Sequence, residues 1–516
     1  MSAPNPSRSQ RYKPPVTIEG GWLHSEPKLD PQTQRPLREV IGRAPVEPPW
    51  VALDTVPFPV ELTDRHLSTH VLFLGGIGTG KTVAISHLVE RIRQAEKGRP
   101  YSMVIFDTKG DYLEKFGNED DLVLTNNPRL QGDRYPRWNL FDDIGFGLSD
   151  TPSLVADRLL CDTAYEVSQT LFQEQIRRTN QPFFAQAASE IFFSFIALKA
   201  RWRRWYRDRG GANIGNHEIA ALARQDTRAA LASVLAAFEN SANPDPGGAR
   251  GYLYGDEKLT HNILTEFRQV VTKTFRGNFQ ESGSFSIRDY VKSRPGKALF
   301  VEYDIQQGYL LRCAYQVLLD LAITQALGRE DEGSSQGRRP NAYFVIDEFA
   351  LLPALQHLDA GINFGRSLGV KFVLGAQNVG QVIENYGEGV GYGILGGIGN
   401  VFEFRLYDSV SRDWVKGRYG QSFKARTFRP PSGESDQVEL GPGFVIEDWD
   451  VSGLRPGYAI AAIGNLDPYV VKFPAPTEHG DPRRSPGSET PVRTPTPNAR
   501  SMSPQARPAG SSSGPV

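Results

Sequence analysis

Short, largely apolar runs recur along this chain at Val71–Leu74, Tyr101–Asp107, Ala298–Tyr303, Ala342–Asp347, Val370–Gly375 and Val401–Leu406. Runs of this length predict strands, and nearly continuous apolar character predicts strands covered on both faces, as in a parallel sheet. Between the second and third runs the period changes. Residues 151–176, 183–207, 217–239 and 258–275 place apolar side chains at helical intervals, broken by clusters such as Asn243–Gly248. A further helix is expected over Leu310–Leu327, then a polar loop at 329–340. Trp50–Leu62 partly alternates around Pro57 and Pro59, which suits an edge strand or hairpin. Residues 440–475 read as short strands and turns that complete the sheet.

The reading is an α/β protein with a mostly parallel sheet and an inserted all-α domain. Residues 49–148 and 285–475 form the nucleotide-binding domain, and 149–284 form the insertion. The Pro-rich stretch 1–48 and the Pro/Ser/Thr/Arg-rich stretch 476–516 lack periodicity and are expected to be disordered.

Composition changes this picture little. The 516 residues include 39% hydrophobic and 23% charged, a soluble-globular balance, and a length that calls for more than one domain. A net charge of −1 gives no global basic field, so nucleic-acid contact has to come from local patches or from assembly. Cys161 and Cys313 stand far apart and suit neither a metal cluster nor a disulfide framework. The N-terminus lacks a signal-peptide core. No uninterrupted apolar run reaches about 18 residues, so no membrane span is expected; Ile191–Leu198 is the nearest candidate.

Candidate chemistry begins where the first strand ends. Gly75, Gly76, Ile77, Gly78, Thr79, Gly80, Lys81 and Thr82 have P-loop spacing between a strand and a helical run that starts at Val83. Glycines let backbone N–H groups close around phosphate oxygens, and the helix N-terminus adds its dipole. Lys81 is expected on the β/γ-phosphates of ATP and Thr82 on Mg²⁺. Asp347 and Glu348 end the fourth strand in a Walker B pattern, Asp347 for Mg²⁺ and Glu348 for the attacking water. Arg366 lies beside a tight turn; spacing alone suits an arginine finger or a helix-capping surface arginine equally. Gln377 ends the next strand, where it could sense the γ-phosphate.

Other stretches are less specific. Asp107, Lys109 and Asp111 follow the second strand, where Asp107 could support the metal's water shell and Lys109 could face phosphate or nucleic acid; a plain charged turn suits the spacing nearly as well. Lys199–Arg207 mixes cations and aromatics as single-strand binders do, yet its helical stripe puts the rings in the core and the arginines in solvent. Gly387–Gly399 contains a GxGxxG without the required strand before it, and reads as a mobile loop.

Taken together, His70–Thr82, Phe106–Asp111, Phe344–Phe349, Gly365–Gly369 and Gln377 resemble the coupling-protein ATPases of type IV secretion and conjugation, the TraG/TraD group. The resemblance runs through roughly residues 50–475. It implies a RecA-like P-loop NTPase forming a hexameric ring. It also implies DNA, single-stranded or carried with a relaxase, as the partner, Arg366 as a finger acting on the neighbouring subunit, and Gln377 as a γ-phosphate sensor. Family members usually begin with transmembrane helices. This chain shows none, so a cytoplasmic ring is expected, free or recruited to the inner face of the membrane by a separate membrane-anchored secretion protein. Two other readings fit the residues: a soluble FtsK/HerA-like translocase in DNA processing or defence, and a substrate receptor that uses ATP only to assemble.

Overall fold

The computed structural model describes residues 16–19, 50–148, 153–206, 213–224, 226–237, 246–303, 308–328, 339–428 and 437–474. Most of the two stretches expected to be disordered lies outside the described residues, as does most of the polar loop. Within the first of them, however, β1 (Val16–Glu19) is a strand.

The strands follow in chain order as β2 (Val51–Leu53), β3 (Val60–Leu62), β4 (Val71–Leu74), β5 (Tyr101–Asp107) and β6 (Leu122–Leu124). Then come β7 (Lys297–Glu302), β8 (Asn341–Ile346), β9 (Val370–Ala376) and β10 (Asn400–Glu403). The last four are β11 (Gln421–Phe428), β12 (Gln437–Phe444), β13 (Tyr458–Ile463) and β14 (Tyr469–Lys472). Nine of them form one sheet in the order β14-β13-β10-β4-β9-β8-β5-β7-β6. Every pairing from β10 to β6 is parallel, and only β13 and β14 run antiparallel at one edge. The segment 50–62 is a separate β2–β3 hairpin. β11 and β12 pair with each other, and β1 adds to β11, in a small sheet of their own.

The apolar runs explain this sheet. Successive side chains of a strand point to opposite faces, so a strand covered on both faces has no polar positions. Leu72 and Leu74 of β4, with Val104 and Phe106 of β5, face one hydrophobic core. Val71, Phe73, Met103 and Ile105 face the other, which the helix Lys81–Ala95 and the β2–β3 hairpin cover.

The described elements between β6 and β7 are helices, the two longest being Ser153–Arg178 and Pro182–Trp205. The helix expected over 217–239 is split into Asn216–Leu222 and Thr227–Ala237. Phe192, Phe195, Ile196 and Phe267 of this region share one continuous core with Phe106, Leu124 and Val301 of the sheet. Pro182–Trp205 and Gly308–Leu327 are long and apolar enough to cross a membrane by length and composition alone. In the fold they are core helices, with 72% and 67% of their apolar windows buried inside the chain.

Glu388–Gly397 is a helix, not the loop that its glycines suggest. Gly391, Ile394, Leu395 and Ile398 recur at helical spacing and are buried, so tertiary packing overrides poor propensity.

Candidate nucleotide site

The carboxyl ends of β4, β8 and β9 converge, with β9 between the other two. Parallel strands direct their carboxyl ends toward one crevice, which is where ligands bind in such sheets. Three neighbours hold the P-loop in this crevice. Gly75 N–H donates to Ala376 O at 3.1 Å, Gly76 N–H to Arg405 O at 2.9 Å, and Gly457 N–H to Thr79 O at 2.8 Å. Gly78 and Gly80 sit at φ +73° and +111°, which side-chain-bearing residues rarely adopt. Gly76 packs under the Tyr407 ring, where a Cβ would meet ring carbons at 2.3 and 2.5 Å. The loop's tip, Ile77, is 77% exposed.

Lys81 opens the following helix and is buried. Its ammonium donates to Gly75 O and to Gly76 O, the latter at 3.2 Å. Burial lowers its pKa, opposed by the charges of Glu348 and Asp347. Such a site favours the arrival of phosphate, which would offer the ammonium anionic partners in place of two carbonyls. Thr82 Oγ1 donates to Asp347 Oδ2 at 3.1 Å, joining the P-loop helix to the end of β8. Burial also raises the Asp347 pKa, against the pull of Thr82 and Lys81.

Glu348 follows directly, nearly buried, with burial pushing it to about 7 while Lys81 and Gln377 pull it down. The side chain and backbone of Gln377 lie close enough to lower it. The Glu348 Oε1 atom is buried without a hydrogen-bond partner. A buried acceptor left open beside a phosphate site fits a water molecule. Among the described residues no group of three His, Cys, Asp or Glu could hold a metal alone. Thr82 and one carboxylate suit Mg²⁺, which is ordinarily shared between protein and substrate phosphates.

Lys81, Thr82, Asp347, Glu348 and Gln377 therefore come together. Arg366 does not join them. It is exposed on the turn Gly365–Leu368 before β9, whereas Gln377 follows the strand's other end. At about 3.3 Å per residue, that strand separates the two by roughly 20 Å.

The structure gives Asp107 the part of a turn-former. Its carboxylate accepts the backbone N–H groups of Lys109, Gly110, Tyr112 and Leu113 at 2.9–3.3 Å. It is thus spent on shaping the turn and capping the helix Asp111–Phe116. Lys109 is exposed, and its charge is felt by both Lys81 and Asp347. In the helix 182–205 the expected arrangement is inverted. Arg201 pairs with Asp157, and Arg203 with Asp142, each at 2.6 Å, while Trp202 and Trp205 are 39% and 40% exposed.

Sequence reasoning missed Gly375, Tyr112 and Gly457. A Cβ on Gly375 would lie 1.9 Å from Asp347 O, so this glycine lets β9 close against the end of β8. A lone glycine inside a strand run is the signal that could have found it. Gly457 lies in the expected turn before β13, but only the fold brings it to the P-loop.

This fold is that of a RecA-like P-loop NTPase with an all-α insertion. Residues 51–423 match the family model for the type IV secretion-system coupling protein DNA-binding domain, and the chain belongs to that family. Comparison with curated proteins finds no match. Among solved structures it is similar to the bacterial conjugative coupling protein TrwBΔN70 in its unbound monoclinic form, with a TM-score of 0.60 and 18% identity over 90% of this chain and 94% of that one. TrwB bound to the non-hydrolysable GTP analogue GDPNP gives 0.61 and 18%, covering 90% and 96%. TrwB with ADP and Mg²⁺ gives 0.60 and 17%, covering 91% and 97%. At these identities the likeness is one of fold.

Proposed function

We propose that this chain is an ATP-hydrolysing motor that drives DNA, alone or with a bound relaxase, toward a type IV secretion channel. The observation that carries the reading is the convergence of Lys81, Thr82, Asp347, Glu348 and Gln377 on one crevice. Lys81 exchanges its carbonyl partners for the β/γ-phosphates. Mg²⁺, held by Thr82 and Asp347, neutralises charge on the phosphates when bound. Gln377 fixes the Glu348 carboxylate, whose open oxygen orients a water and takes its proton. TrwB's structures with a GTP analogue and with ADP and Mg²⁺ support nucleotide and Mg²⁺ as the ligands.

The distance of Arg366 from its own site supports assembly in a ring, with each Arg366 completing the neighbour's site. Family membership supports DNA as partner. The ring would work in the cytoplasm or at the inner face of the membrane, recruited by a membrane-anchored secretion protein. The deciding experiment measures ATP hydrolysis with and without single- and double-stranded DNA at two salt concentrations, because phosphate contacts weaken as salt rises. Turnover stimulated by DNA and lost in Glu348→Gln is expected. Flat turnover, indifferent to DNA, would favour a substrate receptor over a motor.

A further inference from the structure

We propose that Tyr112 is a positioning residue for the metal site, its buried hydroxyl donating to Asp347 in the magnesium-nucleotide state. The inference rests on the nucleotide-site reading above and adds a residue that the P-loop and Walker B patterns do not contain.

Three observations carry it. Tyr112 is 1% exposed, and its ring packs in the core that also holds Ile105 and Val123. Its hydroxyl is directed at Asp347, whose charge and carboxylate both act on it, yet it makes no hydrogen bond of normal geometry. Its backbone is pinned, since Tyr112 N–H donates to Asp107 Oδ2 at 3.1 Å within the four-bond cap that Asp107 builds.

A fully buried phenol without a partner is unusual, and each such group calls for a reason. Here the apolar ring is anchored by the core while the polar tip is left aimed at one carboxylate. Asp347 has room for a second donor, because Thr82 occupies only Oδ2. A neutral donor can hold an ionised carboxylate in one rotamer without cancelling the charge that a cation requires. Bonds at active sites are often misaligned in the free protein and tighten when the ligand loads. The Asp107 turn thereby gains a function: its carboxylate fixes the backbone that carries Tyr112 to Asp347.

The test uses the full chain and Tyr112→Phe, which removes one oxygen and keeps the ring. Binding of a fluorescent ATP analogue is followed as Mg²⁺ is titrated, and melting is recorded in EDTA. Expected are an unchanged or higher metal-free melting temperature, unchanged binding of the analogue in EDTA, and a Mg²⁺ midpoint raised about tenfold, the size of one hydrogen bond to a carboxylate. A midpoint within about twofold of wild type overturns the proposal, whatever the melting temperature does. So does failure of the variant to fold, which would make the hydroxyl part of the core. If the wild-type chain shows no Mg²⁺-dependent binding, the nucleotide-site reading fails instead.

Discussion

Glu348 combines a nearly buried carboxylate, a neighbouring Gln377 and one open oxygen. Burial holds it at about 7, close to the pH at which a general base works best. A base must be deprotonated to accept a proton, so turnover should fall as pH drops through about 7, by about tenfold per unit on the acid side. Phosphate release measured from pH 5.5 to 8.5 checks this. Glu348→Gln should abolish hydrolysis while retaining binding of a fluorescent nucleotide, and turnover that persists would remove Glu348 from the mechanism. Glu403 is a second buried carboxylate, on β10 beside the P-loop strand, accepting the Tyr419 hydroxyl at 2.5 Å with Oε2 unpartnered. Burial raises it from 4.5 to about 8. Between those values the folded chain keeps a proton that the unfolded chain has released, so stability falls as pH rises through the window. Glu403→Gln cannot ionise and should show a shallower loss between pH 5 and pH 8 in thermal melts. An equal loss in both proteins would count against this assignment.

Among the elements, the helix Glu388–Gly397 separates glycines that packing requires from those it does not. A Cβ on Gly397 would lie 2.5 Å from Ile362 Cγ2, whereas on Gly393 the nearest atom, Asp359 Oδ1, is 3.7 Å away. Gly393→Ala should therefore stabilise the fold by about 1 kcal/mol through helix propensity. Gly397→Ala should destabilise it through overpacking. Denaturant titration reads both signs, and two changes of the same sign would refute the packing argument. The helix 182–205 shows why composition misleads over a single element. Its arginines were legible as charged, but their acids, Asp142 and Asp157, come from other segments. No period within the helix could reveal that pairing.

In the whole molecule, Arg366 and the nucleotide crevice stand at opposite ends of β9. If Arg366 serves the neighbouring copy, Arg366→Ala and Lys81→Ala chains should each be inactive alone. Mixed rings should recover part of the activity, because some interfaces then pair an intact crevice with an intact arginine. Absence of recovery across mixing ratios, with assembly verified by light scattering, would place Arg366 outside the neighbour's site.

The sequence by itself determined six strands of the main sheet (β4, β5, β7, β8, β9 and β10), the P-loop, the Walker B acids and the helical insertion, but not β1, β6 or β11. These rest on short-range chemistry: unbroken apolar runs, glycine backbone freedom, and acids placed at a strand end. Gln377 was also legible, because a strand ends directly before it. Only the tertiary structure decided what depended on contacts between distant segments. It spent Asp107 on backbone N–H groups, ordered the glycine-rich segment as a helix against Ile362 and Ile383, and turned Tyr112 toward Asp347. It also set Gly375 against the Asp347 carbonyl and kept Arg366 away from its own P-loop. The physical reason is common to all five. A side chain's type fixes what it can bind, whereas its partner is chosen by which strands lie side by side.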